Sequence, residues 1–483
     1  MGVTVKTTQG LGFLTSFVFV SCASVAHATV IDWSNTSGGD FNNGANWAGG
    51  TAPGASDTAS FNTNAGSSYT ASLSGNTDIR DVSVRNDRVV IDLNEHDLAI
   101  QSGISVNGNA DSHLELKNGR VTWVRESTVK ADIQVGSEFG TKTNLSLKKA
   151  TMNVHSALIE DGGEMVITDG SHLELSNGIT VEKGGSLRVS KGSERYSYIN
   201  GRGPIKFDGE VVVDSGAWID LGGTDQLSSI NGHMTVQNGG DFHTGDLAIG
   251  GNLEMDGLDT HAEARDVTIT GNLKVGHGTI LSADSITVLS GGVLDQDEVG
   301  GLWMMSSAGV LVDGGKYLAA GSIEGHLANA NHGTVSIGGN EKYIYTYAGG
   351  YEQDSTSTLE LTLGAEDLLD DRGRYKIELV EGDAILEGIL KIDLWETFKP
   401  KLNDEFGLIR AGAGIEGIFS HFILPDLQAG LAWEWGFDTN RIGDTLLNLK
   451  VVEGHSVPEP YTLALMTISL AGFAGARRFR KAA

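Results

Sequence analysis

Two stretches of the chain, DLAIGGNLEM at residues 246–255 and DVTITGNLKV at residues 266–275, align without gaps at an offset of 20 residues. In both stretches, apolar residues stand at every second position. Side chains of a β-strand point alternately to opposite faces, so this pattern buries one face and exposes the other. A helix would need apolar spacings of three and four. The repeat therefore predicts short β-strands separated by turns.

The spacing of the repeats distinguishes between two arrangements of such strands. A weaker copy, DSITVLSGGVL, begins at Asp284, and SHLELKNG at 112–119 returns as SHLELSNG at 171–178, an offset of 59 residues that is close to three units. A series of antiparallel hairpins would pair runs about 10 residues apart. The offset of 20 favours stacked turns. We predict an all-β fold, a single-stranded parallel β-solenoid, and more specifically a right-handed β-helix; the hairpin series is the competing arrangement.

Composition agrees with strands and turns and restricts the partners. The 483 residues include 67 glycines and only 6 prolines, and the formal net charge is −28. Without the amino-terminal segment and the last 26 residues, which carry five of the basic residues and one of the acidic ones, the body has a charge near −32. Nucleic-acid binding depends on cationic side chains, so we predict no nucleic-acid partner.

The first 28 residues have the order of features found in a secretory signal peptide. Lys6 precedes an apolar stretch, and Ala26 and Ala28 stand two residues apart at its end. This order predicts export by the general secretion machinery and cleavage by signal peptidase after Ala28. The one cysteine, Cys22, lies inside this segment, so the mature chain would contain no thiol.

Segments of different texture flank the repeats. Residues 29–65 carry Trp33, Phe41, Trp47 and Phe61 among small polar residues, which favours packing over the first turn above an exposed carbohydrate platform. Longer apolar runs begin after residue 340. We predict an amino-terminal cap at 29–65, solenoid repeats at 66–340, a closing segment at 341–452 and a separate terminal segment at 453–483.

The terminal segment combines three features in order. Pro458, Glu459 and Pro460 precede sixteen uncharged residues at 461–476, and a basic cluster follows, formed by Arg477, Arg478, Arg480 and Lys481. Sixteen residues of helix span about 24 Å, somewhat less than the roughly 30 Å of a hydrocarbon core. We predict a single transmembrane helix with its basic end in the cytoplasm; a plain anchor or an apolar strand with a basic end are the alternatives.

This ending resembles the PEP-CTERM sorting signal of Gram-negative, exopolysaccharide-producing bacteria. The resemblance implies that the inner membrane holds the segment transiently and that an exosortase, a membrane-embedded enzyme, processes the protein near Pro458–Pro460. It further implies a mature protein at the cell surface, at the outer membrane or outside the cell, with exopolysaccharide and biofilm as its setting.

A second resemblance covers about a third of the chain. Residues 29–61 and 343–452 look like the entry and closing segments of exported β-solenoids of the autotransporter-passenger type. The matching positions are Trp33, Asn46, Trp47, Pro53, Asp57 and Phe61 at the front, and Tyr351, Gln353, 359–361, 383–390, 417–419 and 431–433 at the back. This resemblance implies a solenoid body with covered ends.

No motif in the sequence predicts a catalytic residue, a cofactor or a metal ligand set. Two acidic clusters are the candidates for polysaccharide chemistry: Asp295, Asp297 and Glu298, and Asp367, Asp370 and Asp371 beside Arg372 and Arg374. His113 and His172 occupy the same place in the repeated octapeptide, which indicates a solvent-facing structural position. We therefore predict a non-enzymatic exported structural protein; a polysaccharide lyase or glycoside hydrolase and an adhesin-like binding module are the alternatives.

Overall fold

The computed structural model describes residues 29–108, 111–123, 133–137, 141–193, 195–222, 227–297, 299–338, 342–346, 349–369 and 374–454. Within these ranges the chain is a parallel β-solenoid with three short 3-10 helices, Gly44–Asn46, Ala48–Gly50 and Ala365–Asp367. The expected all-β, single-stranded parallel solenoid is confirmed. The signal peptide, the sorting motif and the terminal helix lie outside the described residues.

Each turn of the solenoid contributes strands to three lateral faces. Along each face, a strand pairs in parallel with the strand one turn earlier and the strand one turn later. The first face consists of Gly39–Asp40, Tyr69–Ser72, Arg88–Asp92, Gly163–Thr168, Ser186–Ser190, Glu210–Asp214, His233–Gln237, Asn252–Asp256, Asn272–Val275, Val293–Gln296, Lys316–Leu318, Thr334–Ile337, Thr358–Leu363, Ile389–Leu394 and His421–Ile423.

The other two faces follow in each turn. The second face contains His172–Leu175, Tyr198–Gly201, Trp218–Asp220, Asp241–His243, Gly321–Glu324, Ile344–Thr346, Tyr375–Leu379 and Glu405–Ala411. The third face contains Val30–Asp32, Thr58–Phe61, Ile133–Val135, Ala157–Ile159, Ile179–Val181, Ile205–Phe207, Ser228–Ile230, Leu247–Ile249, Leu327–Ala330, Tyr351–Gln353, Asp383–Leu386 and Gly414–Gly417.

Longer strands bend around a corner and serve two faces. Two of them join the first face to the second, Ser112–Trp123 and Thr143–Val154. The others join the second face to the third, Thr77–Val84, Asp97–Val106, Thr260–Ile269, Thr279–Leu289 and Gly301–Asp313.

The register confirms the 20-residue repeat where the sequence shows it most clearly. Leu253 pairs with Leu273, and Met255 pairs with Val275, at an offset of 20. Elsewhere the offset between paired residues of successive turns ranges from 17, between Val310 and Leu327, to 33, between Tyr351 and Ala384. Inward apolar residues of all turns join in one continuous core.

The octapeptide repeat does not mark equivalent positions. His113 lies on the first face, in register with Arg88, whereas His172 lies on the second face, in register with Tyr198. The turn that pairs Ser112 with Thr143 is 31 residues long, so an offset of 59 does not correspond to three turns. Both side chains point outward and are half-buried. The alternation of apolar and polar residues therefore correctly predicted that both side chains point outward. The assumed period of about 20 residues wrongly predicted that they occupy equivalent positions.

Both ends of the solenoid are covered. Trp33, Phe41, Trp47 and Phe61 are all buried, and the Trp33 and Trp47 rings meet edge to face with centroids 4.9 Å apart. At the other end, Thr445–Glu453 pairs antiparallel with both Glu405–Ala411 and Leu431–Thr439. Covered ends matter because an open strand edge is a template for pairing with another chain.

Glycines stack at the corner of the solenoid that directly precedes the strands of the first face. Gly232, Gly251 and Gly271 follow each other at successive turns, and a Cβ atom on each would collide with the carbonyl oxygen of the glycine one turn earlier. These same carbonyls accept ladder hydrogen bonds, such as the 2.8 Å bond from the Asn272 amide to Gly251. The requirement for glycine here is close approach of backbones, since none of the three has a positive φ.

Substituting one of these stacked glycines tests that explanation. We expect Gly251→Ala to lower the free energy of unfolding by about 2 kcal/mol, because the added methyl must push two turns apart. The matched control is Gly75→Ala, since a Cβ at Gly75 meets nothing within 4 Å and its φ is not positive. Urea unfolding followed by tryptophan fluorescence measures both, and equal stability of the two variants would contradict the stacking argument.

Candidate functional site

A column of aromatic and polar side chains runs along the second face. His172, Tyr198, Trp218, Asp241 and His261 occupy the same register position in five successive turns. Because the side chains of a strand alternate between its two faces, the residue that follows each column member along its strand, such as Ile199 or Phe242, points into the core. The column therefore presents one outward side chain from each solenoid turn, at the strand spacing of about 4.8 Å.

The first three members of the column stack their rings on one another. The His172 and Tyr198 ring centroids are 3.9 Å apart, and those of Tyr198 and Trp218 are 4.7 Å apart with planes inclined by only 9°. Ring faces that cover each other are not available for a sugar ring. This ladder therefore stabilises the stack of turns, as cross-strand aromatic pairs do.

The last two members form a cluster with His243. Asp241 Oδ1 lies 3.9 Å from His261 Nδ1, and the two imidazole rings meet edge to face with centroids 5.5 Å apart. One donor atom from each of these three residues lies within 4.8 Å of the other two. Nε2 of His243 is buried and has no hydrogen-bond partner among the described residues. Two nitrogens and a carboxylate oxygen thus converge on one spot.

Partial burial determines the electrostatics of this cluster. Burial raises the pKa of Asp241, although the two nearby imidazoles act in the opposite direction. Burial lowers the pKa of His261, and the neighbouring His243 lowers it further, which outweighs the opposing effect of Asp241 and Glu263. The neutral imidazole of His261 is therefore favoured near neutral pH.

The first acidic cluster does not form a site among the described residues. Asp295 is paired in register with Lys274 on the neighbouring turn. Asp297 accepts a 3.2 Å hydrogen bond from the amide of Val299, two residues further along the same turn of chain. Glu298 lies outside the described residues. The Asp297 carboxylate therefore stabilises the loop of chain that follows it.

The second acidic cluster contains a buried ion pair. Asp367 lies 2.6 Å from Lys376 Nζ, and both side chains are almost fully buried. The other carboxylate oxygen of Asp367 accepts a hydrogen bond from the Gly364 amide. Burial lowers the pKa of Lys376, and Asp367 partly offsets that effect. Asp367 is thus used structurally, while Asp370, Asp371 and Arg372 lie outside the described residues.

Two grooves on the surface contain carboxylates and are candidates for a polysaccharide site. The larger has a volume of about 700 Å³ and contains the carboxylates of Asp111 and Glu164, with Asp111 3.2 Å from Arg88. The other has a volume of about 610 Å³ and contains Glu95 and Asp169. Each brings together two carboxylates with basic side chains. In the larger groove, Asp111 pairs with Arg88, and Glu164 accepts a 2.9 Å hydrogen bond from the Asn144 side chain.

The body belongs to the class of parallel β-solenoids, whose long lateral faces suit a structural or binding role. Residues 456–480 match the family model for the PEP-CTERM protein-sorting motif. The chain therefore carries that motif, and the matched range includes Pro458, Glu459 and Pro460. No curated protein matches the chain. Among the residues that the structure describes, no helix is long and apolar enough to cross a membrane.

Proposed function

We propose that this chain is an exported structural protein whose last segment is an address for an exosortase. A signal peptide at 1–28 directs export and is removed after Ala28 by signal peptidase. Residues 461–476 form a helix that anchors the precursor briefly in the inner membrane, with Arg477, Arg478, Arg480 and Lys481 in the cytoplasm. The exosortase then processes the chain near Pro458, Glu459 and Pro460.

The match of residues 456–480 to the sorting motif is the observation that carries this proposal. The last strand that the structure describes, Thr445–Glu453, lies only a few residues before the matched range. The formal net charge of −28 fits a protein that stays soluble and separate from nucleic acid.

We further propose that the mature body is a right-handed, non-enzymatic rod at the cell surface or in the extracellular matrix, associated with exopolysaccharide or biofilm. Parallel crossover connections are right-handed in nearly all known cases, which supports the handedness. In the larger groove, both carboxylates already have surface partners, Arg88 for Asp111 and Asn144 for Glu164, which favours a structural role over a polysaccharide lyase or hydrolase. An adhesin-like binding module remains the second alternative, since a solenoid face can also serve as a binding surface.

Replacing the motif tests the sorting step. In a host with an exosortase, we expect Pro458→Ala, Glu459→Ala and Pro460→Ala together to leave the chain in the membrane fraction as a longer precursor. Glu453→Ala, at the end of the last strand, is the matched control and should be processed normally. Immunoblots of membrane, outer-membrane and medium fractions measure both. Equal processing of the two variants would refute the assignment of the motif.

A further inference from the structure

Asp241, His243 and His261 are not used by the proposed sorting function, and their chemistry is of a different kind. They converge on the second face from two neighbouring turns, with donor atoms of all three within 4.8 Å of one another. We propose that these three residues bind a divalent transition-metal ion of the Zn²⁺ type. This site goes beyond the structural role proposed above and does not depend on it.

The donor set determines the kind of ion. Imidazole nitrogen suits zinc, copper, nickel and iron, whereas calcium and magnesium prefer sites made entirely of oxygen. Three protein ligands leave a fourth position for water in a tetrahedral zinc site. Among the residues that the structure describes, no other group of three histidines or carboxylates converges in this way, so a transition metal should prefer this place to the general surface.

The surroundings of His261 fix the orientation that a ligand needs. Its Nε2 lies 3.0 Å from the Ser282 hydroxyl of the next turn, while Nδ1 faces Asp241. When Nε2 donates its proton to Ser282, Nδ1 presents a lone pair toward the cluster. Ligating histidines usually hold their second ring nitrogen in this way, and loss of the partner typically costs about 10- to 100-fold in metal affinity.

His243 provides evidence for a bound ion that does not depend on the distances within the cluster. Its Nε2 atom is shielded from solvent yet makes no hydrogen bond to any described residue. A buried polar atom without a partner is costly in a folded protein, and a bound ion would satisfy it. The stacking of turns also places Asp220 and Glu263 on either side of His243, so the site lies in a negative field that favours a cation.

Metal binding to the untagged full-length chain tests the proposal. After treatment with a chelator, equilibrium dialysis against Zn²⁺ should give one more bound ion per wild-type chain than per His243→Ala or His261→Ala chain. Ser282→Ala should keep the stoichiometry but weaken binding about 10-fold. His233→Ala, an exposed histidine on the first face, is the matched control and should bind like wild type.

Thermal unfolding with added Zn²⁺ and competition by Ca²⁺ test the proposed site further. Wild type should gain thermal stability when Zn²⁺ is added, and excess Ca²⁺ should not displace the ion. Circular dichroism checks that the variants keep their β-structure; if a histidine variant does not fold, Ser282→Ala and the Ca²⁺ competition decide. Equal Zn²⁺ stoichiometry in wild type and the histidine variants, unchanged affinity in Ser282→Ala, or full displacement by Ca²⁺ would overturn the proposal.

Discussion

Asp87→Ala is expected to lower the free energy of unfolding by about 4 kcal/mol, because one buried carboxylate organises the start of the solenoid. The side chain is 2% exposed. It accepts hydrogen bonds from the Thr63 amide at 2.7 Å, the Thr63 hydroxyl at 3.0 Å and the Tyr69 hydroxyl at 2.7 Å. The Ala65 amide adds a fourth bond at 3.3 Å.

Removing that carboxylate leaves buried donors without an acceptor. Tyr69 is itself buried, and burial together with the adjacent Asp87 raises its pKa far above the ordinary value, so its hydroxyl remains a donor. Each unsatisfied buried donor costs about 1–3 kcal/mol. The loss should appear as earlier unfolding of the amino-terminal turns, since each turn contacts only its neighbours.

Urea unfolding followed by tryptophan fluorescence measures this loss, because Trp33 lies next to Tyr69, with ring centroids 6.3 Å apart. Asp111→Ala is the matched control: its carboxylate is exposed and forms a surface ion pair with Arg88, so we expect a change below about 0.5 kcal/mol. Similar midpoints for the Asp87 and Asp111 variants would contradict the role given to Asp87.

Gln353→Leu is expected to destabilise the other half of the rod by a similar amount, about 4 kcal/mol. Gln353 is 1% exposed, and its side-chain oxygen accepts bonds from the Tyr351 hydroxyl at 2.7 Å and the Asn329 amide at 3.2 Å. Its nitrogen donates to the carbonyls of Glu387 at 2.8 Å and Ile389 at 3.1 Å. One amide thus links three successive turns inside the core.

Leucine has a similar volume but can make none of these bonds. The Tyr351 hydroxyl, whose pKa burial raises strongly, would be left as an unsatisfied buried donor. Glu352→Gln is the matched control, because the neighbouring side chain is exposed and its exchange should leave stability almost unchanged. Hydrogen exchange at the amides of Thr358–Leu363 reports local opening, and unchanged protection in Gln353→Leu would contradict the network argument.

The sequence was most informative where the turns are regular. The alternation and the 20-residue offset of the two related stretches correctly placed Leu253 beside Leu273. Polar insertions change the turn length without leaving a periodic signal, and so the octapeptides were assigned to equivalent turns although His113 and His172 lie on different faces. At Gly251, the sequence shows that a glycine is present but not why it is needed. The structure shows that glycine is required by close contact with the backbone of the previous solenoid turn and not by a positive φ.

The cluster of Asp241, His243 and His261 could not have been found from spacing alone, and no metal site is predicted from the sequence. Asp241 and His243 are separated from His261 by 18 to 20 residues, which matches no common zinc-binding spacing. They meet only because that particular turn has 20 residues and places His261 beside Asp241. Gln353 was singled out only as a matching position of the closing segment, and its buried role was not predicted, because polar residues are not expected at inward positions.

Mass spectrometry of the mature carboxy terminus tests the central claim most directly. The full-length chain would be expressed in two otherwise identical hosts, one with an exosortase and one without, and the terminal peptides of the protein recovered from each would be identified. The sorting account predicts a chain that ends near Pro458–Pro460 in the first host and at Ala483 in the second. An intact Ala483 in both hosts would contradict it.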